Sequence, residues 1–473
     1  MKIALILAAA PHDALRDLEP FMPLSLPLLA GAAPEHDYRF VDMLRSDPID
    51  FEAAVDLVGI SMRMTAEAEA YAVADGFRAR GVPVVIGGPQ ASVRPYRAKR
   101  HADAVVVGEG EPLWPVLLRD FAQRELKDYY VCSPAPFDPR GGTLHQLSEL
   151  PDLARVPVPR RDLYGRKYQF DTVFAARGCH VGCDFCSVPA LFGTTTRLRP
   201  VAAVVEEISG LDGFYYLLDD TVFGRPDTFD YYLKLYDAIA RLPQRNPWHG
   251  QANLDAAATE QGREVILRAA QAGLLYAAVG MESINPAVLR RTGALGKSGA
   301  RDPAEAVARM EERVRFIQEA GILVSGWFVL GYEEDDIETF HRTAELCQKM
   351  GVMPVLSPVN ALPGTRLYER LEREGVLDNR NSLTNYPNPR LEKQPVIEAL
   401  ARSIDEGFSW RQILRRTLRL WRALGRVAGN TPRDRIMKTT AAAQIQRGMA
   451  EVLRRELGNL ASERSQNYAE DEG

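Results

Sequence analysis

Three of the chain's five cysteines, Cys179, Cys183 and Cys186, fall within one short stretch, AARGCHVGCDFCSVPA. Structural zinc sites usually take four Cys or His ligands, commonly in two pairs. Only His180 lies near enough in sequence to be a fourth ligand, and it could equally be a surface residue. Three thiolates on a 4Fe–4S cluster leave one iron free for another ligand. The spacing therefore favours a cluster whose open iron binds a substrate or cofactor.

Composition narrows the class of protein around this motif. A length of 473 residues predicts two or three domains, and a net charge of -5 argues against a strongly basic nucleic-acid binder. The first apolar run, KIALILAAA, fits a buried strand better than a signal peptide, and no run approaches the length of a membrane span. Clustered cysteines suit a reducing compartment, so a cytoplasmic protein is expected.

Residues 1–125 alternate short apolar runs with helical patterns. The runs predict strands at 2–10, 38–44, 55–62, 82–90 and 102–111. This alternation predicts a parallel, doubly wound, Rossmann-like α/β domain. Glycines end the fourth and fifth of these strands, where open sheets bind ligands. The same glycines are equally compatible with ordinary turns.

Proline-rich residues 126–168 are predicted to form a linker, and residues 169–385 a second α/β unit. Its strands are expected at 171–176, 214–218, 248–254, 275–281, 322–330 and 352–358. Six βα repeats predict a partial (β/α)6 TIM-type barrel. Chemistry in such a sheet belongs at the carboxyl ends of the strands, and the cysteine stretch directly follows the first strand.

Residues 386–473 are predicted to be helical, with a disordered tail. One helix is expected to place five apolar residues on one face: Trp410, Ile413, Leu414, Trp421 and Leu424. Six arginines lie between positions 411 and 426. The helix could pack on the barrel with its charges solvated. It could also form a basic lid over an acidic substrate, or contact a membrane surface.

The motif GCHVGCDFC resembles the signature of radical SAM enzymes, including Phe185 before the last cysteine. The resemblance implies that Cys179, Cys183 and Cys186 hold a 4Fe–4S cluster whose open iron chelates S-adenosylmethionine (SAM). Electron transfer, from a flavodoxin- or ferredoxin-type donor, would then cleave SAM to methionine and a 5′-deoxyadenosyl radical.

Later segments resemble the same family at successive strand ends. LLDDTVF implies that Asp219 or Asp220 contacts the methionine amino group of SAM. GQANLD and VGMES imply that Gln251, Asn253 and Glu282 line the SAM pocket, with Glu282 a candidate for the ribose hydroxyls. Taken singly, each could be an ordinary buried polar residue, and their order along the chain carries the resemblance.

The N-terminal domain resembles that of the cobalamin-binding radical SAM subfamily, with GGPQ and VVVGEGE at strand ends. The Asp-x-His-x-x-Gly motif that supplies a lower-axial histidine is absent. Either cobalamin binds without a protein histidine, which we favour, or the domain keeps the fold without the cofactor. The candidate cobalamin contacts are Ser61, Met62, Arg63, Gly87, Gly88, Gly108 and Glu109.

The two cofactors together imply a C-methyltransferase that acts on an unactivated carbon of a small molecule or natural product. One SAM would methylate reduced cobalamin, and a second would supply the radical that takes a hydrogen from the substrate. The substrate radical would then take the methyl group.

Three alternatives stay open. The first is a radical cyclase or rearrangement enzyme resembling the anaerobic Mg-protoporphyrin ester cyclase. A methylthiotransferase would need about three more cysteines in its N-terminal domain, where only Cys132 stands. A non-catalytic cobalamin-binding protein would not need the cysteine motif.

Overall fold

The computed structural model describes residues 1–132, 136–165, 168–298, 300–378, 383–428 and 430–462. The disordered tail that the sequence predicts lies outside these residues from position 463 onward. The described residues form two parallel sheets, each with helices between its strands, and three further helices at the C-terminal end.

The first sheet has seven parallel strands in the order β2-β1-β3-β4-β5-β6-β7. The strands are β1 Lys2–Ala8, β2 Asp37–Asp42, β3 Leu57–Met62, β4 Val84–Gly87, β5 Ala104–Gly108, β6 Tyr129–Cys132 and β7 Leu144–Gln146. The helices are α1 Ser25–Ala32, α2 Glu67–Arg78, α3 Pro89–Val93, α4 Pro95–Arg100 and α5 Trp114–Ala122. The strand order reverses at β1, which is where doubly wound sheets bind ligands.

The first sheet extends beyond its predicted end at residue 125. Strands β6 and β7 lie in the stretch that the sequence predicts as a linker, and each pairs with the preceding strand. The short run YYVC is fully buried, because its side chains join an apolar cluster on each face of the sheet, Tyr130 and Cys132 on one and Tyr129 and Val131 on the other. The prolines that follow this run, Pro134, Pro136 and Pro139, lead to the prediction of a linker, since proline clusters indicate loops.

The second sheet has six parallel strands in the order β8-β11-β12-β13-β14-β15, as the six predicted repeats require. The strands of this sheet are β8 Asp171–Val173, β11 Tyr215–Leu217, β12 Trp248–Asn253, β13 Leu274–Glu282, β14 Leu323–Leu330 and β15 Met353–Pro358. Two further strands, β9 Ala176–Arg177 and β10 Arg197–Leu198, form a separate antiparallel pair. Its helices are α6 Val188–Phe192, α7 Val201–Ser209, α8 Phe229–Ala240, α9 Glu260–Gln271, α10 Pro286–Arg291, α11 Pro303–Glu319, α12 Ile337–Met350 and α13 Arg366–Glu374.

The C-terminal region forms α14 Lys393–Gly407, α15 Trp410–Leu424 and α16 Pro432–Ala461. Leu420 and Leu424 of α15 join an apolar cluster with Leu323 and Met353, which begin β14 and β15. Helix α15 therefore lies at the amino ends of the strands. The cysteine stretch follows a carboxyl end, so the prediction of a basic lid over the substrate is wrong.

The predicted apolar face of α15 is also wrong in part. Trp410 and Leu414 are exposed, whereas Arg416 is buried. The Arg416 guanidinium donates to the carbonyls of Val352, at 3.0 Å, and Gly407, at 2.6 Å. Because these hydrogen bonds satisfy two buried backbone acceptors, the helix turns an arginine inward and leaves apolar residues facing solvent.

Candidate functional site

The three clustered cysteines lie on one loop after β8. Gly178 begins this loop with φ +94°, and a side chain there would place Cβ 2.4 Å from the Thr195 carbonyl oxygen. Only glycine fits this conformation beside the neighbouring backbone. Backbone hydrogen bonds of 2.9 Å join Asp184 to Thr292 and Leu367, which hold the loop against α10 and α13.

The thiols of this loop are protected from solvent to different degrees. Cys183 is buried, and Cys179 and Cys186 are half-buried. Burial raises the pKa of all three thiols, that of Cys183 to about 12. Ionising them requires a compensating positive charge, which the irons of a cluster provide.

The donor set suits an iron–sulfur cluster. No three His, Cys, Asp or Glu side chains in the described parts of the chain converge on a single metal ion. Thiolates of a cluster bind separate irons and need not converge on one point. His180, the one alternative ligand that the sequence offers, is exposed at the surface.

Two aspartates, Asp219 and Asp220, follow β11 and have different partners. Asp219 is buried and accepts hydrogen bonds from the amides of residues 175–176, at 2.7 and 3.0 Å, and from the Tyr232 hydroxyl, at 2.8 Å. Asp220 accepts from the Gly178 amide at 3.1 Å and is half-buried. Burial raises the pKa of Asp219 to about 7 and that of Asp220 to about 6. Asp219 therefore anchors the chain before the cysteine loop, while Asp220 keeps an accessible oxygen.

Glu282, at the end of β13, adopts an unusual backbone conformation. Its φ is +62°, in the left-handed region, where non-glycine residues cost roughly 1–3 kcal/mol. The Lys297 ammonium lies 2.6 Å from its carboxylate and 6.0 Å from the centre of the Phe185 ring. Burial alone would lower the pKa of Lys297, but Glu282 and the Cys183 thiol outweigh burial and raise it. Lys297 thus holds a positive charge beside the cysteine loop.

A cavity of about 580 Å³ separates the carboxyl ends of the two sheets. Its wall is mainly apolar and combines residues from both sheets. The predicted contacts among its lining residues are Ser61, Arg63, Gly87, Gly88, Gly108, Glu109, Asp219, Asp220 and Gln251. Further wall residues, including Phe21, Met22 and Leu28, come from α1 and the segment before it.

A buried ion-pair network beside this cavity joins the segment after β5 to the antiparallel pair β9–β10. The Glu109 carboxylate, which is fully buried, contacts the guanidinium groups of Arg177 and Arg197. Arg177 also lies 2.6 Å from the Glu111 carboxylate. Because Arg177 precedes the cysteine loop by two residues, the network ties that loop to the end of β5.

No protein-family model matches the chain. The chain is 27% identical over 365 residues to bacteriochlorophyllide d C-12(1)-methyltransferase of Chlorobaculum tepidum, and the aligned region covers 74% of each protein. It is 25% identical over 418 residues to bacteriochlorophyllide d C-8(2)-methyltransferase of that organism, covering 85% of this chain and 88% of the relative. Identity to the hopanoid C-2 methylase of Rhodopseudomonas palustris is 25% over 387 residues, covering 79% of this chain and 69% of the relative.

Solved structures share the same fold over nearly the whole chain. The cobalamin-dependent SAM radical enzyme OxsB matches with a TM-score of 0.66 at 15% identity, covering 95% of this chain and 71% of that one. The radical SAM methyltransferase TsrM of Kitasatospora setae matches with a TM-score of 0.61 at 17% identity, covering 96% and 98%. The chain is therefore similar in sequence to bacteriochlorophyllide and hopanoid methyltransferases, and similar in fold to cobalamin-dependent radical SAM enzymes.

Four predicted cofactor contacts lie outside the wall of the cavity: Met62, Phe185, Asn253 and Glu282. Met62 and Asn253 are buried, and Glu282 is paired with Lys297. Phe185 packs in the apolar cluster that contains Leu289. The sequence search missed Lys297 because no motif surrounds it.

Proposed function

We propose that this protein is a cobalamin-dependent radical SAM C-methyltransferase that acts on an unactivated carbon. The observation that carries the proposal is a single cavity lined by both sheets. The first sheet contributes the glycines at the ends of β4 and β5, and the second contributes the residues at the carboxyl ends of its strands, close to the cysteine loop. The bacteriochlorophyllide and hopanoid relatives, whose names record methyl transfer, support the same reaction.

Cys179, Cys183 and Cys186 would hold the 4Fe–4S cluster, and Asp220 would accept a hydrogen bond from the amino group of SAM. When bound, the cluster supplies the electron that cleaves SAM. Glu282, fixed by Lys297 at 2.6 Å, is the candidate acceptor for the ribose hydroxyls. The electron would come from a flavodoxin- or ferredoxin-type donor, in a reducing compartment such as the cytoplasm.

Cobalamin would bind at the ends of β4 and β5, where it supplies the methyl group. A Cβ atom on Gly88 would come within 2.8 Å of the Met62 backbone, so the chain passes close at this point. Gly87 and Gly108 leave room for a broad ring at the same edge. No histidine stands among the described residues of the cavity wall, which supports binding without a protein histidine on the lower face.

The apolar wall supports a large ring-bearing substrate. Phe21, Met22, Leu24 and Leu28 form part of the apolar lining of the cavity. Bacteriochlorophyllides and hopanoids, which the named relatives methylate, are large ring systems with mainly apolar surfaces. The apolar wall also excludes solvent from the reacting carbon.

Product analysis tests this function. The anaerobically reconstituted enzyme is incubated with SAM, a reductant and candidate tetrapyrroles or polycyclic lipids. Methyl transfer predicts a methylated product together with S-adenosylhomocysteine and 5′-deoxyadenosine. If 5′-deoxyadenosine and a converted substrate accumulate without S-adenosylhomocysteine, the proposal is wrong and a cyclase or rearrangement enzyme takes its place.

A further inference from the structure

Helix α15 presents an apolar stripe to solvent. Trp410, Leu414 and Leu418 are 69%, 48% and 46% exposed and follow one another four residues apart. Residues at this spacing lie on one face of a helix. Single exposed apolar residues are ordinary on a protein surface, but a continuous stripe marks an interaction site. We call these three residues the α15 stripe.

A row of arginines borders the α15 stripe. Arg411, Arg415 and Arg422 are exposed, and helical periodicity places them on the edge next to the stripe. The Arg411 guanidinium lies over the Trp410 ring, 5.5 Å from its centre. Residues 410–426 contain no Asp or Glu. The exposed side of the helix is therefore both apolar and positively charged.

The beginning of α16 extends this surface. Ile436 and Met437 are 59% and 47% exposed. Their neighbour Arg435 stacks on the ring of Trp421, 4.1 Å from its centre, and donates to the Trp421 carbonyl at 3.0 Å. This contact places the start of α16 beside the last turns of α15, so apolar side chains of both helices face solvent.

We propose that the α15 stripe and its arginine row dock the enzyme on an anionic membrane surface. A helix with an apolar stripe and arginines along its polar edge lies in the plane of the headgroups, where the stripe enters the acyl boundary. The arginines gain energy from anionic lipids. A second copy of this chain is a poorer partner, because a symmetric contact would bring two arginine rows together.

Docking in this orientation leaves the cavity uncovered. Arg419, on the buried side of α15, donates to the Met350 carbonyl at 2.8 Å, just before β15 begins. The docking face thus lies at the amino ends of the second sheet, whereas the cavity lies at the carboxyl ends. No described helix is long and apolar enough to cross a membrane, so this contact would be made from one side.

Vesicle co-sedimentation of the full chain tests the proposal. Vesicles of phosphatidylglycerol mixed with phosphatidylcholine should bind the enzyme, and added salt should weaken binding. Binding to pure phosphatidylcholine vesicles should be weaker by roughly tenfold or more, because these vesicles offer the arginines no anionic lipid. No sedimentation with anionic vesicles, or equal and salt-independent binding to both kinds, would overturn the proposal.

Two combined variants separate the apolar and ionic parts. Trp410→Gln with Leu414→Gln and Leu418→Gln, and Arg411→Gln with Arg415→Gln and Arg422→Gln, should each reduce binding by roughly tenfold or more. The matched controls are Leu267→Gln and Arg373→Gln, which alter exposed residues on other helices and should bind as wild type.

Size-exclusion chromatography with light scattering tests whether the α15 stripe instead binds a second copy of this chain. A melting curve shows whether each variant is folded. A dimer that the apolar variant converts to a folded monomer, without any vesicle binding by wild type, would assign the α15 stripe to self-association and overturn the proposal. A folded apolar variant that binds anionic vesicles as wild type does would also overturn it.

Discussion

At the scale of single residues, the charge held by Lys297 is the least expected part of the site. It is largely buried beside the cysteine loop, where its ammonium pairs with the Glu282 carboxylate at 2.6 Å. A positive charge near a cluster stabilises the reduced form, which carries one more negative charge. Lys297 would therefore tune the cluster as well as position Glu282.

The variant Lys297→Met should lower the midpoint potential of the reconstituted cluster by tens of millivolts, on the order expected for one nearby charge. Electron paramagnetic resonance during a redox titration measures this shift. Lys297→Arg keeps the charge and should stay near the wild-type potential. The double variant Glu282→Gln with Lys297→Met removes both charges, and so separates a lost ion pair from a lost cation. An unchanged potential in Lys297→Met would show that the lysine is only structural.

Asp219 gives a pH prediction without any cofactor. Burial raises its pKa in the folded state to about 7, above the unfolded value near 3.8, so the folded protein binds more protons between those limits. The free energy of unfolding should therefore fall as pH rises from about 4 to 7. Urea titrations of Asp219→Asn should show a weaker pH dependence in this range. The exposed Asp212→Asn is the control, and an equal slope in wild type and Asp219→Asn would contradict the prediction.

At the scale of elements, the sequence predicts the strands well because buried parallel strands are short apolar runs. All six strands of the second sheet lie where their apolar runs predict them, and so do β1 to β5. Strands β6 and β7 were missed because they are short, and the local sequence does not show that they pair with β5 and with each other. The orientation of α15 was mispredicted because a buried arginine, Arg416, is fixed by tertiary hydrogen bonds that no helical periodicity reveals.

Gly88, at the end of β4, is a test at this scale. Its φ is +97°, and a Cβ atom would meet the Met62 backbone at 2.8 Å. Gly88→Ala should destabilise the fold by about 1–3 kcal/mol and weaken cobalamin binding, measured by thermal melting and by corrin absorbance. Gly81→Ala, with φ +75° and nothing within 4 Å, isolates the backbone effect. If the two variants lose stability equally and bind cobalamin equally, close packing at Gly88 is unimportant.

At the scale of the whole molecule, the buried network around Glu109 joins the end of β5 in the first sheet to the antiparallel pair β9–β10, whose strands lie on either side of the cysteine loop in sequence. The sequence predicts Glu109 as a cobalamin contact, but its carboxylate already has two arginine partners. Sequence reasoning cannot find such a network, because its members come from distant segments and carry no shared motif. The network keeps the cysteine loop at a fixed distance from the ends of β4 and β5.

The variant Arg197→Gln should loosen this connection. Removing one partner leaves a buried carboxylate less compensated, which costs about 3–5 kcal/mol when a buried pair is broken. Hydrogen exchange should rise in β5 and in the loop after β9, while the outer helices α8 and α9 stay protected. Arg373→Gln, at an exposed site, is the control, and unchanged exchange around β5 would contradict the role given to the network.

Above all, one chain should hold both a 4Fe–4S cluster and cobalamin. Anaerobic reconstitution with iron, sulfide and hydroxocobalamin, followed by metal analysis and absorbance spectra, measures this directly. We expect roughly four irons and one corrin per chain. Cys183→Ala should lose the iron and keep the corrin, and Cys347→Ala, outside the loop, should keep both. Iron uptake with no bound corrin, or a Cys183→Ala variant that still binds the cluster and cleaves SAM, would show that the proposed function is wrong.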